Sequence, residues 1–393
     1  MKLTYIFNRE ITSDKASLVQ AVYMCEAFAS IGVDVEMALP LSKPARSYDY
    51  LFERFDIKHE FKLSFYSKIM LFNRLGIIGS YFGIKKFLTK SEADIYFTRC
   101  PMIFTYLAEK RLPVIFEAHN ANIHNDVKFY DRFWMNRVIK SSRKKNCLAF
   151  ITISENLGKH WTRKGVPQQK VIALHDGFNT CMFKEDIGKI KARSELGLPL
   201  KNKIITYTGS LYPDREIENI ISLAAYFPDS LIIVVGGPRS NSEYYKTLSN
   251  EKNITNIKFT GPVEHREIPL YLYASDVLLA LWSKKVPTIN YCSPLKIFEY
   301  MAAGRIIVAH AFLTIKEVIK HEKNGLLAGP GNFDDLVDKT RHALNNTNVQ
   351  LMERQAKEEA FKKYSWVTRA AKILEKVEVT PRFARKKLKT QIL

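Results

Sequence analysis

The sequence predicts two doubly wound α/β domains, each a parallel sheet covered by helices on both faces. Three observations carry this. Short apolar runs recur along the whole chain, and amphipathic stretches of helical length separate them. The runs are rich in Ile, Val, Phe and Tyr with little polar alternation, which is how strands buried on both faces read. At 393 residues, the chain suffices for two domains of roughly 100–200 residues, each with its own core.

In the first half, strands are predicted at Leu3–Phe7, Val33–Leu39, Ile95–Thr98, Val114–Ala118, Leu148–Ile153 and Val171–Leu174. In the second half they fall at Ile204–Thr208, Leu231–Val235, Ile257–Thr260, Val277–Leu281 and Ile306–Ala309. Leu18–Ile31 and Glu216–Ala225 fit crossover helices, and the strand–helix alternation favours parallel sheets. The apolar pattern lapses between Phe183 and Asn202, where a charged helix is expected between Gly188 and Leu198. The predicted division is therefore a first domain over 1–185, a linker over 186–202 and a second domain over 203–364. A final helix follows over 365–380 with Ser365 as N-cap, then a basic tail over 381–393.

Composition excludes fibrous, collagen-like and wholly disordered classes, because 46% hydrophobic and 25% charged residues are ordinary values. The charge balance is not ordinary: 60 Lys and Arg against 40 Asp and Glu leave +20. Such an excess points to a polyanionic partner, nucleic acid or an anionic membrane face. The cysteines are Cys25, Cys100, Cys147, Cys181 and Cys292, widely spaced and without a CxxC, which fits a reducing cytoplasm. The apolar stretch at the N-terminus is too short for a signal-peptide core. No apolar run reaches the roughly 20 residues a bilayer span requires.

Four segments of the second half carry chemistry. Thr208-Gly209-Ser210 ends a strand, and Arg215 follows in the predicted first turn of a helix, where free N–H groups and a guanidinium suit phosphate. Val235-Gly236-Gly237-Pro238 and Thr260-Gly261-Pro262-Val263 also end strands in glycine. In open α/β sheets ligands bind outside the carboxyl ends of the strands. Ser293-Pro294-Leu295-Lys296-Ile297-Phe298-Glu299-Tyr300-Met301-Ala302-Ala303-Gly304 reads as a helix with Pro at its start and Gly at its end. In it Lys296 and Glu299 share a face. A carboxylate beside such a crevice suits a ribose diol, and a lysine near a helix N-terminus suits an anionic ligand. An exposed i,i+3 ion pair is the other reading of the two.

These segments resemble the C-terminal domain of glycosyltransferase family 4: retaining, nucleotide-sugar-dependent enzymes of the GT-B fold, two facing Rossmann-like domains with a C-terminal helix returning to the first. Gly209–Ile221, Val235–Pro238 and Ser293–Gly304 are similar to its loop, turn and helix signatures. Ile151–Glu155 and Asp176–Asn179 resemble its first-domain motifs. The resemblance implies that Glu299 binds the ribose hydroxyls, that Arg215 contacts the diphosphate beside Gly209, Ser210, Gly236 and Gly237, and that the Val263 backbone meets the base. Pro294 and Leu295 would set backbone against the transferred sugar. His119 would contact that sugar from the first domain, so His119 and Glu299 are the catalytic candidates. Ser210 replaces a usual basic residue, and Lys296 would supply that charge. Tyr291 replaces a usual glutamate, and Thr12–Ser17 lacks the usual glycines. With no Asp-x-Asp in the chain, no metal or other cofactor is expected.

Residues 61–91 contain no Asp or Glu and interleave basic residues with aromatics, as an amphipathic surface element on anionic lipid would. Residues 128–145 and 382–389 form two further basic clusters. Lys15, Lys68, Arg74, Lys85, Lys86, Arg143, Lys144 and Lys145 are the candidate acceptor or membrane contacts. The reading favoured is transfer of a sugar from a nucleotide diphosphate donor to a glycan or lipid-linked acceptor, at the cytosolic face of an anionic membrane. No specific nucleic acid is expected as a partner. A nucleotide-sugar epimerase of the same architecture, or a non-catalytic basic protein on the same scaffold, are the alternatives.

Overall fold

The computed structural model describes residues 1–13, 16–41, 48–67, 83–121, 128–346 and 348–377. The chain divides into two units, Met1–His175 with Trp366–Leu393, and Asp176–Ser365. Each is a Rossmann-like parallel sheet with helices on it, as the alternating pattern predicts.

The first unit holds seven parallel strands: β1 (Lys2–Ile6), β2 (Asp34–Pro40), β3 (Lys62–Tyr66), β4 (Ile95–Thr98), β5 (Val114–Ala118), β6 (Cys147–Thr152) and β7 (Val171–Ala173). Their order is β3-β2-β1-β4-β5-β6-β7. The central strands β4 and β5 are buried at every residue, which explains their unbroken apolar runs. Strand β3 is absent from the sequence reading. It lies inside the basic, aromatic stretch 61–91 and alternates exposed Lys62 with buried Leu63, as an edge strand does. This corrects the reading of the whole stretch as a surface element. Phe61 and Tyr66 are core residues, and Lys62 pairs with Glu36 of β2 at 2.9 Å. Residues 68–82 lie outside the described residues.

The second unit has β8 (Lys203–Thr208), β9 (Ser230–Val235), β10 (Ile257–Gly261), β11 (Val277–Ala280), β12 (Ile306–His310) and β13 (Leu326–Ala328), in the order β10-β9-β8-β11-β12-β13. Alternate residues along each strand feed two apolar layers. Ile204, Ile233, Leu278 and Ile307 pack with the helix Leu295–Ala303 on one face. Ile205, Ile232, Leu279 and Val308 pack with the helix Ile217–Ala225 on the other. The strand order reverses between β8 and β11, the place where open α/β sheets leave a crevice.

The division falls at His175, ahead of the predicted 185. Phe178 and Phe183 are buried in the second unit and pack edge to face. The predicted linker 186–202 contains a docked helix, Lys189–Glu195. Its Arg193 is 3% exposed. That side chain donates to the carbonyls of Ala274 (2.9 Å), Leu200 (2.8 Å) and Asn202 (2.9 Å) and pairs with Asp276 at 2.6 Å. The last helix, Trp366–Lys376, follows Ser365 directly and packs in the first unit against the helix Ala16–Ser30. Residues 378–393, with the predicted basic tail, lie outside the described residues.

Candidate functional site

The carboxyl ends of the second unit's strands are tied into one rim by backbone bonds. The N–H of Gly209 donates to Val235 O at 2.9 Å, and that of Gly236 to Gly261 O at 3.0 Å. The N–H of Ser283, after β11, donates to Asp214 O at 3.0 Å. Two glycines let the turns close this tightly. At Gly236 (φ +98°) an added Cβ would lie 2.9 Å from the Gly209 carbonyl oxygen, and at Gly237 (φ +77°) it would lie 2.4 Å from Leu211 Cγ.

The helix Leu295–Ala303 enters this rim. Pro294 precedes it and Gly304 ends it at φ 61°, as the sequence predicts. Ser293 Oγ accepts the Asp176 N–H at 2.8 Å, which fixes the helix start. Tyr300 Oη accepts the Thr208 N–H at 2.8 Å and donates to Leu279 O at 3.3 Å, so the helix is pinned between β8 and β11.

Lys296 then points back to the switch point. Its Nζ lies 3.8 Å from the centre of the Tyr207 ring and 5.3 Å from that of Trp282. It is buried and makes no hydrogen bond. A Cβ on Gly209 would approach it to 2.9 Å. Burial first, and then Arg215, hold its amine well below the ordinary lysine range, with Glu299 opposing. Two ring faces stabilise an ammonium by about 0.5–2 kcal/mol each, which does not replace its lost hydration. The arrangement is suited to an anion.

Lys296 and Glu299 are not the exposed ion pair that their spacing allowed. Glu299 is 8% exposed, and its Oε1 accepts from His265 Nε2 at 2.8 Å. Arg215 differs from expectation: it ends a separate 3₁₀ turn, Pro213–Arg215, and the helix starts only at Ile217. Glu216, at φ 58°, breaks the two apart. Arg215 Nε donates to Ser210 Oγ at 3.3 Å, and its guanidinium pairs with Asp214 at 3.2 Å. The structure thus brings Gly209, Ser210, Arg215, Gly236, Gly237 and Lys296 to one rim. Val263 follows Gly261 and packs half-buried against the core on the helix's side of the sheet.

Sequence reasoning missed three supports of this site. His265 holds Glu299, and Trp282 and Tyr207 face Lys296. Buried His310 in turn donates from Nδ1 to the Trp282 carbonyl at 2.8 Å. Each comes from a different strand or loop, and although Tyr207 heads the glycine motif at the end of β8, only the fold sets its ring against Lys296.

In the first unit His119 follows β5 and is largely buried. Its Nε2 meets Oε1 of Glu117, which is wholly buried. Burial and then Arg99 push His119 down to about 4, against the pull of Glu117, so the imidazole is neutral at pH 7. Trp161 Nε1 donates to Asn120 O at 3.1 Å and fixes the chain just beyond.

The basic candidates divide. Lys86 and Lys145 are exposed. Lys85 lies 5.8 Å over the Tyr106 ring. Arg143 donates to Gly165 O from Nε (3.2 Å) and Nη2 (3.1 Å), and Lys144 Nζ to Ala108 O at 3.4 Å, so both have structural partners. Lys15, Lys68 and Arg74 lie outside the described residues. Among the described residues no helix is long and apolar enough to cross a membrane.

Residues 188–363 match the family described as Glycosyl transferases group 1. An uncharacterized glycosyltransferase of Methanocaldococcus jannaschii is 24% identical over 224 residues, 55% of this chain and 56% of the relative. A D-inositol 3-phosphate glycosyltransferase of Corynebacterium aurimucosum is 23% identical over 215 residues, 52% of this chain and 50% of the relative. The chain thus spans about half the length of the curated relatives it matches. Among solved structures, sucrose-phosphate synthase from Thermosynechococcus elongatus superposes with a TM-score of 0.76 at 17% identity, covering 99% of this chain and 100% of that one. Anabaena HepE, solved in complex with UDP-glucose, gives 0.72 at 17% identity, covering 97% and 100%. The matched segment is thus similar to the group 1 glycosyl transferases, and the fold shared with these solved structures is GT-B.

Proposed function

We propose that the chain is a retaining transferase of family 4 type, which moves a sugar from a nucleotide diphosphate donor to an acceptor hydroxyl. The observation that carries this is Lys296, whose buried amine makes no hydrogen bond beside the glycine-lined end of β8, in the segment that matches the family. A diphosphate supplies the anion that this group lacks. Arg215 and the N-terminus of the helix Leu295–Ala303 add positive potential where the leaving group gains charge. Glu299, already oriented by His265, accepts from the ribose diol, and the Val263 backbone meets the base. A neutral His119 contacts the transferred sugar by hydrogen bond without adding charge.

In the reaction the bond from the anomeric carbon to the diphosphate oxygen breaks. The acceptor oxygen bonds the same carbon on the same face, and its proton passes to the departing diphosphate. In this reading the two side-chain cations and the helix dipole stabilise the leaving group without a metal. The acceptor is a lipid-linked or surface-polysaccharide precursor on the cytosolic face of a membrane, and the exposed lysines of the first unit draw the protein there. Support comes from the basic excess of +20 and from Lys86 and Lys145 on the surface.

The experiment is sugar transfer from UDP-glucose and other nucleotide sugars into a lipid extract, comparing the native chain with Glu299→Ala. Hydrogen bonds to a charged acceptor contribute about 1.5–3 kcal/mol, so donor binding should weaken roughly 10- to 100-fold. Undiminished donor binding in the variant would sink the assignment. Conversion of donor to an isomer without acceptor would favour an epimerase instead.

A further inference from the structure

We propose that Arg369, on the last helix of the chain, is a positioning residue for His119, acting through Glu117. The inference rests on the proposed sugar contact of His119, and its test is chosen to separate the two.

Glu117 is 0% exposed and sits on β5. A lone buried carboxylate is costly, so its partners define it. Its two oxygens are divided between them. Oε2 accepts from Arg369 Nη1 at 2.8 Å. Oε1 accepts from Gln20 Nε2 at 2.6 Å and meets His119 Nε2. Arg369 cannot swing away, because its other N–H groups are engaged. Nε donates to His175 O at 2.9 Å and Nη2 to Leu174 O at 3.3 Å. The planar guanidinium therefore sets the rotation of the carboxylate, and the carboxylate sets the ring of His119. Since an ionised carboxylate only accepts, Nε2 carries the imidazole proton and Nδ1 presents a lone pair.

Trp366, Ala370, Ile373 and Leu374 provide the apolar part of the last helix's buried face, and Arg369 lies among them. The charged side chain, 2% exposed, adds a fixed direction. The charged groups of the array are Glu117, Arg369 and Arg99, which lies 4.0 Å from Glu117. Tyr5 and Cys25 adjoin it, and burial keeps both neutral. Burial raises the Glu117 carboxyl, but Arg369, His119 and Arg99 together hold it well below the usual carboxylate range.

The test is the titration and tautomer of His119, followed by NMR of histidine-labelled full-length protein without substrate, with H119A for assignment. The native chain should show a neutral Nε2–H imidazole at pH 7. Arg369→Gln removes a positive charge and leaves the carboxylate, so the His119 midpoint should rise by about one unit or more. Arg369→Lys keeps the charge and should hold the midpoint near the native value. Glu117→Gln should not raise it, and should relax the tautomer preference. These opposed responses are not what loss of packing would give. A native midpoint and tautomer in both Arg369→Gln and Glu117→Gln overturn the proposal. If Arg369→Gln does not fold, Glu117→Gln decides alone: a relaxed tautomer supports the proposal and a native one overturns it. Undiminished sugar transfer by H119A would refute the sugar contact while leaving the titration result to judge the positioning.

Discussion

Lys296 is placed where it costs the empty protein something. Its amine is held well below the ordinary lysine range by burial and by Arg215, so the folded state binds fewer protons than the unfolded one. Stability should therefore rise with pH through the window between the lowered folded value and the ordinary unfolded one. Lys296→Met should raise the stability of the ligand-free protein by roughly 1–3 kcal/mol, read as an upward shift of the melting temperature, and should weaken donor binding. Donor affinity runs the other way with pH. A diphosphate needs the ammonium, so affinity should be flat at low pH and fall as pH rises through the lowered value, with proton uptake on binding. Calorimetry in buffers of different ionisation enthalpy reads that uptake. Absence of any proton linkage would mean that Lys296 does not meet the anion. Lys296 and Glu299 were legible because one helix carries both. His265 and Trp282 were not, because only the fold brings their loops to that helix.

The glycine turns at the strand ends divide into those that need glycine for space and those that need it for conformation. Gly236→Ala puts a methyl against a backbone oxygen in a left-handed conformation, and strain of this kind costs about 1–3 kcal/mol. It should also push apart the ends of β8 and β9 and abolish donor binding. Gly261 has φ +72° with nothing within 4 Å of an added Cβ. Gly261→Ala should lose stability of the same order yet keep donor binding. Equal loss of binding in the two variants would show that the rim geometry is not what holds the ligand. The central strands were legible from unbroken apolar runs. Edge strand β3 was not, since only Leu63 and Tyr66 of it are buried, in a lysine-rich stretch; β13 was also missed. The separation of Arg215 from its helix was also hidden, because it turns on the left-handed Glu216, a conformation that residue type does not announce.

Across the molecule, the proposed function uses the excess of +20 for attraction to an anionic surface. Each lysine near such a membrane contributes about 1 kcal/mol. Charge reversal at the exposed Lys86, Lys140 and Lys145 together should reduce sedimentation with phosphatidylserine vesicles by at least tenfold, and added salt should do the same to the native protein. Binding that ignores both changes would remove the membrane from the account. The predicted boundary at 185 was late because polar residues 184–189 look like a linker, while Arg193 and Asp276, distant in sequence, dock the helix that follows. The most direct test of the central claim is thermal unfolding with a panel of nucleotide diphosphate sugars, native chain against Glu299→Ala. A true donor at 100 times its Kd adds about 2.7 kcal/mol to the folded state, so at least one member should raise the native melting temperature by several degrees and the variant's far less. No stabilisation by any nucleotide sugar, or an equal shift in the variant, would contradict the account.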